Sequence, residues 1–319
     1  MFVLNKDETR EALAWPELIN AIEAMFREGC EMPVRHHHDV SVPGESDATL
    51  LMMPAWVPGS YMGIKIVSVF PDNSKRSLPA IFGTYLLSSG KTGEMVAVID
   101  GGELTARRTA ATSALAAKYL SRPDASSMLM IGTGRLSLNL MQAHAAISDI
   151  SSFTIWGRND ASAEKIAEEA RRLGLNAAAT TDLDAAAREA DIVSCATLSH
   201  EPLVKGDWLK PGAHLDLVGA FKPSMRESDD SAVTRSSVFV DTFDGALKEG
   251  GDLVQPLEAG IIRRDHIKAE LADLVSGRHK GRTHEKEITL FKSVGAALED
   301  LAGAILAYES VNGRANGYS

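Results

Sequence analysis

Gly132-Thr133-Gly134-Arg135-Leu136-Ser137 follows the apolar run Met128-Leu129-Met130-Ile131 and opens a segment of helical pattern. A glycine pair in that setting suits a phosphate-binding turn. Gly132 permits a tight reversal, Gly134 lets backbone N–H groups approach a pyrophosphate, and the positive end of the following helix favours the anion. Ser137 stands where a third small residue lets helix pack on strand. Glycine pairs occur in many strand–helix turns, so the weight comes from context: a strand before, a helix after, and a second strand at the right distance. That second strand ends Ile155-Trp156-Gly157-Arg158-Asn159, without the Asp or Glu that commonly takes a ribose 2′-hydroxyl. Arg158 suits a 2′-phosphate, which favours NADP(H) with NAD(H) as the alternative; Asp160, two residues on, works against it.

The elements that must hold this turn read as two regimes. In the first third, 8–29 carries helical periodicity broken at Pro16, a residue suited to a helix's first turn. Strand-like stretches follow at 35–42, 49–56, 61–70, 80–88 and 94–100, separated by turns such as Pro43-Gly44 and Pro58-Gly59. A long Ala-rich helix is expected over 102–120. From Ser126 the rhythm becomes strand–helix–strand, with strands expected at 127–131, 153–156, 176–179, 192–196, 215–218 and 238–240 and helices at 136–147 and 162–173. Such alternation implies a parallel sheet covered by helices. An apolar element at 288–291 and an amphipathic helix at 295–308 close the chain, and the tail is expected to return to the first domain. The fold class is α/β: a Rossmann-type doubly wound parallel sheet over 123–293, plus an α+β domain from 1–122 and 294–319.

Composition excludes several classes. The 319 residues carry a formal charge of −10, against a nucleic-acid or anionic-membrane partner, which needs a basic surface. No apolar run reaches the ~18 residues of a membrane span. No basic stretch precedes an apolar one at the start, so a secretory signal is not expected and the setting is read as cytoplasmic. Cys30 and Cys195 form no CxxC pattern and read as buried small hydrophobes in a reducing compartment. His36, His37 and His38 are adjacent; strand neighbours point to opposite faces, so they cannot converge on one metal ion, and no metal is expected.

Three further segments, with the glycine turn, resemble the ornithine cyclodeaminase/mu-crystallin family of imino-acid oxidoreductases. They are Glu103-Leu104-Thr105-Ala106-Arg107-Arg108-Thr109-Ala110-Ala111, Asp216-Leu217-Val218-Gly219-Ala220-Phe221, and Ile288-Thr289-Leu290-Phe291-Lys292-Ser293-Val294-Gly295. Their order and spacing match over nearly the whole chain. The resemblance implies a homodimer whose first domain serves substrate binding and dimerisation. It also implies roles: Arg108 holds a substrate carboxylate, Lys65 in Gly63-Ile64-Lys65-Ile66 is the active-site lysine, and Arg35 is a further carboxylate-binding arginine. A planar guanidinium suits that task, since it binds a carboxylate bidentately. By the same resemblance Thr109 approaches the cofactor phosphates, and Thr197, Lys292 and Ser293 lie near the nicotinamide.

Within that family, cyclodeaminases and alanine dehydrogenases read Gly-Gly-Asp or Gly-Ala-Asp at the segment where this chain reads Gly219-Ala220-Phe221. A phenyl ring cannot exchange a proton. Ketimine reductases of the family also lack the aspartate and tend to carry an arginine where Arg158 stands. The resemblance therefore implies reduction of a preformed cyclic imine such as Δ1-pyrroline-2-carboxylate or Δ1-piperideine-2-carboxylate, to proline or pipecolate, with Phe221 either packing on the ring or walling the pocket. Two alternatives remain. A cyclodeaminase or alanine dehydrogenase-type enzyme would need Glu227 or Asp229 in place of the missing acid, although the charged run Arg226-Glu227-Ser228-Asp229-Asp230 reads as a solvated loop. A non-catalytic protein binding NADP and a small ligand is the second, opposed by the retention of Lys65, Arg108 and Lys292.

Overall fold

Asn5 starts the first helix by accepting from the N–H groups of Asp7 and Glu8, while Glu8 reaches back to the Asn5 N–H at 2.9 Å, a reciprocal cap that satisfies otherwise orphaned donors. The computed structural model describes residues 1–316; the last three, 317–319, which the sequence reading assigned to the first domain, lie outside the described residues. The chain forms two compact units, Met1–Arg108 with Ala297–Ser319, and Thr109–Ala296. The first division falls inside a helix, earlier than the expected break at 122.

In the first unit, β1 (Phe2–Leu4) is followed by α1 (Lys6–Ala12) and α2 (Trp15–Glu28), then β2 (His36–Val40), β3 (Ala48–Trp56), β4 (Tyr61–Val69), β5 (Ile81–Ser89) and β6 (Met95–Asp100). Pro16 sits in the first turn of α2, and Gly29 ends it at φ 80°. The sheet order is β1-β6-β5-β4-β3-β2: an antiparallel meander with β1 added in parallel. The helix α3 (Gly101–Leu120) follows β6 directly and spans the unit boundary. The closing helix α11 (Ala297–Asn316) packs on α2 and across β3, β4 and β5. On the face it covers, Lys65 of β4 stands in register with Met53 of β3 and Tyr85 of β5, all three buried. The expected amphipathic helix is therefore corrected: between Leu298 and Leu301 of α11, Glu299 and Asp300 are also fully buried.

The second unit is one parallel sheet. Its elements are β7 (Ser127–Ile131), α4 (Leu136–Ala145), β8 (Ser152–Trp156), α5 (Asp160–Arg172), β9 (Ala177–Ala179), α6 (Leu183–Glu189), β10 (Ile192–Cys195), β11 (His214–Leu217), α7 (Asp230–Thr234), β12 (Ser237–Val240), α8 (Phe243–Glu249), α9 (Gly251–Glu258), β13 (Ile267–Glu270), α10 (Leu271–Val275) and β14 (Thr289–Lys292). The strand order is β13-β12-β14-β11-β10-β7-β8-β9. Strands such as Met128-Leu129-Met130-Ile131 are buried on both faces, which is why they read as continuous apolar runs. The chain winds from β7 out to β9, then returns to place β10 on the other side of β7. Ligands of such sheets bind outside the carboxyl ends at that switch.

Candidate functional site

The carboxyl ends of β7, β8 and β10 meet in a cleft of about 320 Å³ within the second unit. Gly132, Gly134, Arg158 and Thr197, all expected at the cofactor, line it together with Trp156 and Ser199. Gly132 adopts φ 120°, and a Cβ there would lie 2.7 Å from the Ala196 carbonyl oxygen, so only glycine fits. At Gly134 a side chain would meet nothing within 4 Å; that open space is what a phosphate close to the backbone needs. The helix α4 starts without a side-chain cap, so no side chain competes with an anion for its positive end. Arg158 is exposed at the lip, and Asn159 beside it caps α5 by accepting from the Ser162 N–H. These residues fit a dinucleotide. Ser137 serves differently from a direct contact: it is fully buried, and its hydroxyl donates to the Gly132 carbonyl at 2.9 Å, tying the turn from inside.

Beneath this edge lies a buried charged network. Glu227 accepts from the Thr197 N–H at 2.6 Å, the Thr197 hydroxyl at 2.8 Å, the Gly219 N–H at 2.7 Å and the Ala220 N–H at 3.2 Å. Burial pushes its carboxyl above the ordinary value, with the Lys292 charge opposing and Asp252 adding to the rise. Asp252 accepts from the Glu227 and Ser228 N–H groups at 2.8 Å each, and its other oxygen lies 3.2 Å from Lys292 Nζ. Asp241 takes the N–H groups of Val294 and Gly295 at 2.7 Å. Two expectations are corrected here. Glu227 is not in a solvated loop, and Lys292, fully buried, offers its ammonium to this network rather than to the cleft surface. Asp229 is not merely solvated either: it caps α7 through the Ala232 N–H and also accepts from Gly206. Ser293 is buried, its N–H donating to the Leu217 carbonyl. Phe221 is 38% exposed on the loop after β11.

A second network lies wholly in the first unit. Lys65 Nζ of β4 is 2.6 Å from Asp300 Oδ2 of α11, and Arg108 Nε of α3 is 3.0 Å from Asp300 Oδ1. Arg108 also reaches Glu299 at 2.5 Å. All four side chains are buried. Burial lowers the Lys65 pKa to about 8, against the opposing pull of Asp300. Burial alone would raise Asp300, but the charges of Arg108 and Lys65 outweigh it and hold the carboxyl below its usual range. The hydroxyl of Tyr85, in register with Lys65, is buried with no hydrogen-bond partner among the described residues. Two cations, each already oriented by an acid, can receive a small carboxylate. Glu299 and Asp300 went unread in the sequence, although two adjacent acids inside an Ala- and Leu-rich helix were a visible signal. Arg35 sits half-buried just before the exposed edge strand β2, and Thr109 half-buried one residue past Arg108. Among the described residues no group of His, Cys, Asp or Glu is arranged to hold a metal ion. Cys195 is fully buried; Cys30, expected the same, is only half-buried.

Comparison with known proteins places the chain among relatives of similar length and fold. Among curated relatives, Protein SAR DEFICIENT 4 of Arabidopsis thaliana is 42% identical over 87% of this chain and 86% of its own length. A Delta(1)-pyrroline-2-carboxylate reductase of Paracoccus denitrificans is 36% identical over 91% of this chain and 90% of its own. Among solved structures, the Thermococcus litoralis Delta(1)-pyrroline-2-carboxylate reductase in complex with NADH and L-proline superposes with a TM-score of 0.91 at 34% identity, covering 99% of this chain and 98% of that one. An archaeal alanine dehydrogenase dimer with bound NAD gives 0.89 at 28% identity, covering 98% and 96%. The profile of the ornithine cyclodeaminase/mu-crystallin family matches residues 1–315. This chain belongs to the ornithine cyclodeaminase/mu-crystallin family.

Proposed function

We propose that the protein is an imine-reducing oxidoreductase acting on a cyclic ketimine carboxylate, Δ1-pyrroline-2-carboxylate or Δ1-piperideine-2-carboxylate, to give proline or pipecolate. The observation that carries this reading over a deaminating cyclisation is that, among the described residues, the acids that follow position 221 most closely are already engaged. Phe221 exchanges no proton, Glu227 is committed to four donors, and Asp229 to two backbone N–H groups. The pyrroline-2-carboxylate reductases among the relatives support the same choice.

Gly132, Gly134, Thr197 and Arg158 would hold a nicotinamide dinucleotide, which supplies the hydride when bound. Arg108 takes the substrate carboxylate, helped by Arg35, and Asp300 keeps the guanidinium oriented. Lys65 holds its proton beside the carboxylate or ring nitrogen; a pKa of about 8 suits exchange near neutral pH. The carbon–nitrogen double bond becomes a single bond, with hydride on the ring carbon and a proton on nitrogen. The 2′-phosphate form of the cofactor is preferred, on the evidence of Arg158 and the missing acid, although the neighbouring structures hold NADH and NAD. The assembly is a homodimer, supported by the dimeric neighbour and by exposed apolar side chains on the first unit such as Val34, Ile81 and Phe82. The setting is cytoplasmic, in keeping with two free thiols.

The test is NADPH and NADH oxidation with each cyclic imine, beside ammonia release from ornithine. Turnover of an imine without ammonia from ornithine is expected; ammonia with inert imines would overturn the reading.

A further inference from the structure

Thr197 and the Gly219-Ala220-Phe221 loop leave the carboxyl ends of two neighbouring strands, β10 and β11, which pair Cys195 with Leu217 in register. Both segments are irregular backbone at a ligand-facing edge, where N–H groups lack sheet partners and need another acceptor. Glu227 supplies it for both. One carboxylate oxygen takes the Thr197 N–H and hydroxyl, and the other takes the Gly219 and Ala220 N–H groups. The packing is close: a Cβ on Gly219 would stand 2.0 Å from the Thr197 carbonyl oxygen and 2.4 Å from Glu227 Oε1. Glu227 is itself fixed from behind, since Asp252 binds its backbone N–H and Lys292 pairs with Asp252. Thr197, which lines the cofactor cleft, and the two backbone N–H groups just before Phe221 thus hang on one carboxylate.

We propose that Glu227 is a positioning residue that couples the dinucleotide cleft, through Thr197, to the Phe221 loop, and that it sets cofactor affinity and imine selectivity together without touching either ligand. A charged acceptor suits this task because hydrogen bonds to an ionised group are about twice as strong as neutral ones. Only a carboxylate offers two acceptor oxygens in that fork, and glutamate carries it on the longer stem. An amide at 227 would keep one loop and turn an N–H₂ group against donors of the other.

The inference rests on reading the cleft as a dinucleotide site, and the experiment separates the two. Binding of NADH and NADPH to the full-length protein is titrated by cofactor fluorescence for the wild type, Glu227→Gln and Glu227→Asp, with melting temperatures and with KM for both imines. Glu227→Gln is expected to weaken dinucleotide binding on the order of tenfold, which corresponds to about 1.4 kcal/mol. It is also expected to change the ratio of kcat/KM between the five- and six-membered imines. Glu227→Asp, with the charge kept but a shorter reach, should show a smaller change in the same direction, and it provides the reading should the amide variant fail to fold. A wild type that binds neither dinucleotide would remove the cofactor reading itself. A wild type that binds, with folded variants that melt lower yet bind and discriminate as before, would overturn the positioning role and leave Glu227 as a purely structural acid.

Discussion

The two units each bury an ionic network, and the two are built on opposite plans. In the first, two cations face two acids, and Asp300 commits one oxygen each to Lys65 and Arg108. The contacts run from side chain to side chain. In the second, Lys292 faces Asp252, with Glu227 and Asp241 close enough to feel its charge, and the three acids hold backbone N–H groups of eight residues, among them Thr197, Gly219 and Gly295. Side-chain ion pairs can share a partner with an arriving carboxylate without moving the chain, whereas acids that pin backbone cannot let go without unmaking a loop. The first network is therefore suited to binding and the second to shaping.

The comparison can be broken at its strongest point first. Arg108→Ala removes the guanidinium from the first network and strands two buried acids; losing one partner of such a pair costs about 2–5 kcal/mol. A fall in kcat/KM for the imine of a hundredfold or more is expected, mainly through KM. Unchanged kinetics would take Arg108 out of the site. Lys292→Met in the second network should act on folding more than on substrate recognition, with a loss of about 3 kcal/mol in denaturant unfolding. If stability held while the imine KM rose, the division between binding and shaping would be wrong.

A pH profile sharpens the same contrast. Lys65 carries a pKa lowered to about 8 by burial, so its positive form is present below that value and is lost as pH rises through it. The kcat/KM for the imine should fall on the alkaline side of about pH 8. Stability should move the other way: between the folded value and the ordinary lysine value near 10.5, the unfolded chain holds more protons, so this group favours folding increasingly as pH rises across that window. Activity that is flat to pH 10 would show that the Lys65 proton is not needed. The smallest effect is expected at the rim, where Arg158→Ala should cost NADPH its preference over NADH by roughly tenfold, a contact between an exposed cation and a phosphate; an unaltered ratio would show that Arg158 does not read the phosphate.

What the sequence made legible follows from this contrast. The five strands of the meander and the strand–turn–helix at Gly132 carry strong local patterns, and the observed elements fall within a few residues of the reading. Short pieces with weak patterns were missed: β1 has three residues, and β13, Ile267-Lys268-Ala269-Glu270, alternates apolar and charged residues at the sheet edge. So were the helices from α6 to α10, of which α9 even contains Pro256. The resemblance pointed to the cations of the first network, Lys65 and Arg108, but not to the acids they pair with. Glu299 and Asp300 look like surface residues until β4 and α3 are folded against α11, and Glu227 looks solvated until two strand ends, far apart in sequence, present it with their N–H groups. Partners created by tertiary contact leave no local period to read.

The central claim is transfer of hydride to the carbon of a preformed cyclic imine, and isotopic labelling tests it most directly. Reduction of Δ1-pyrroline-2-carboxylate with reduced nicotinamide cofactor carrying deuterium at both C4 positions should give proline carrying one deuterium at C2, and ornithine should yield no ammonia. Unlabelled proline, or proline formed from ornithine with release of ammonia, would contradict it.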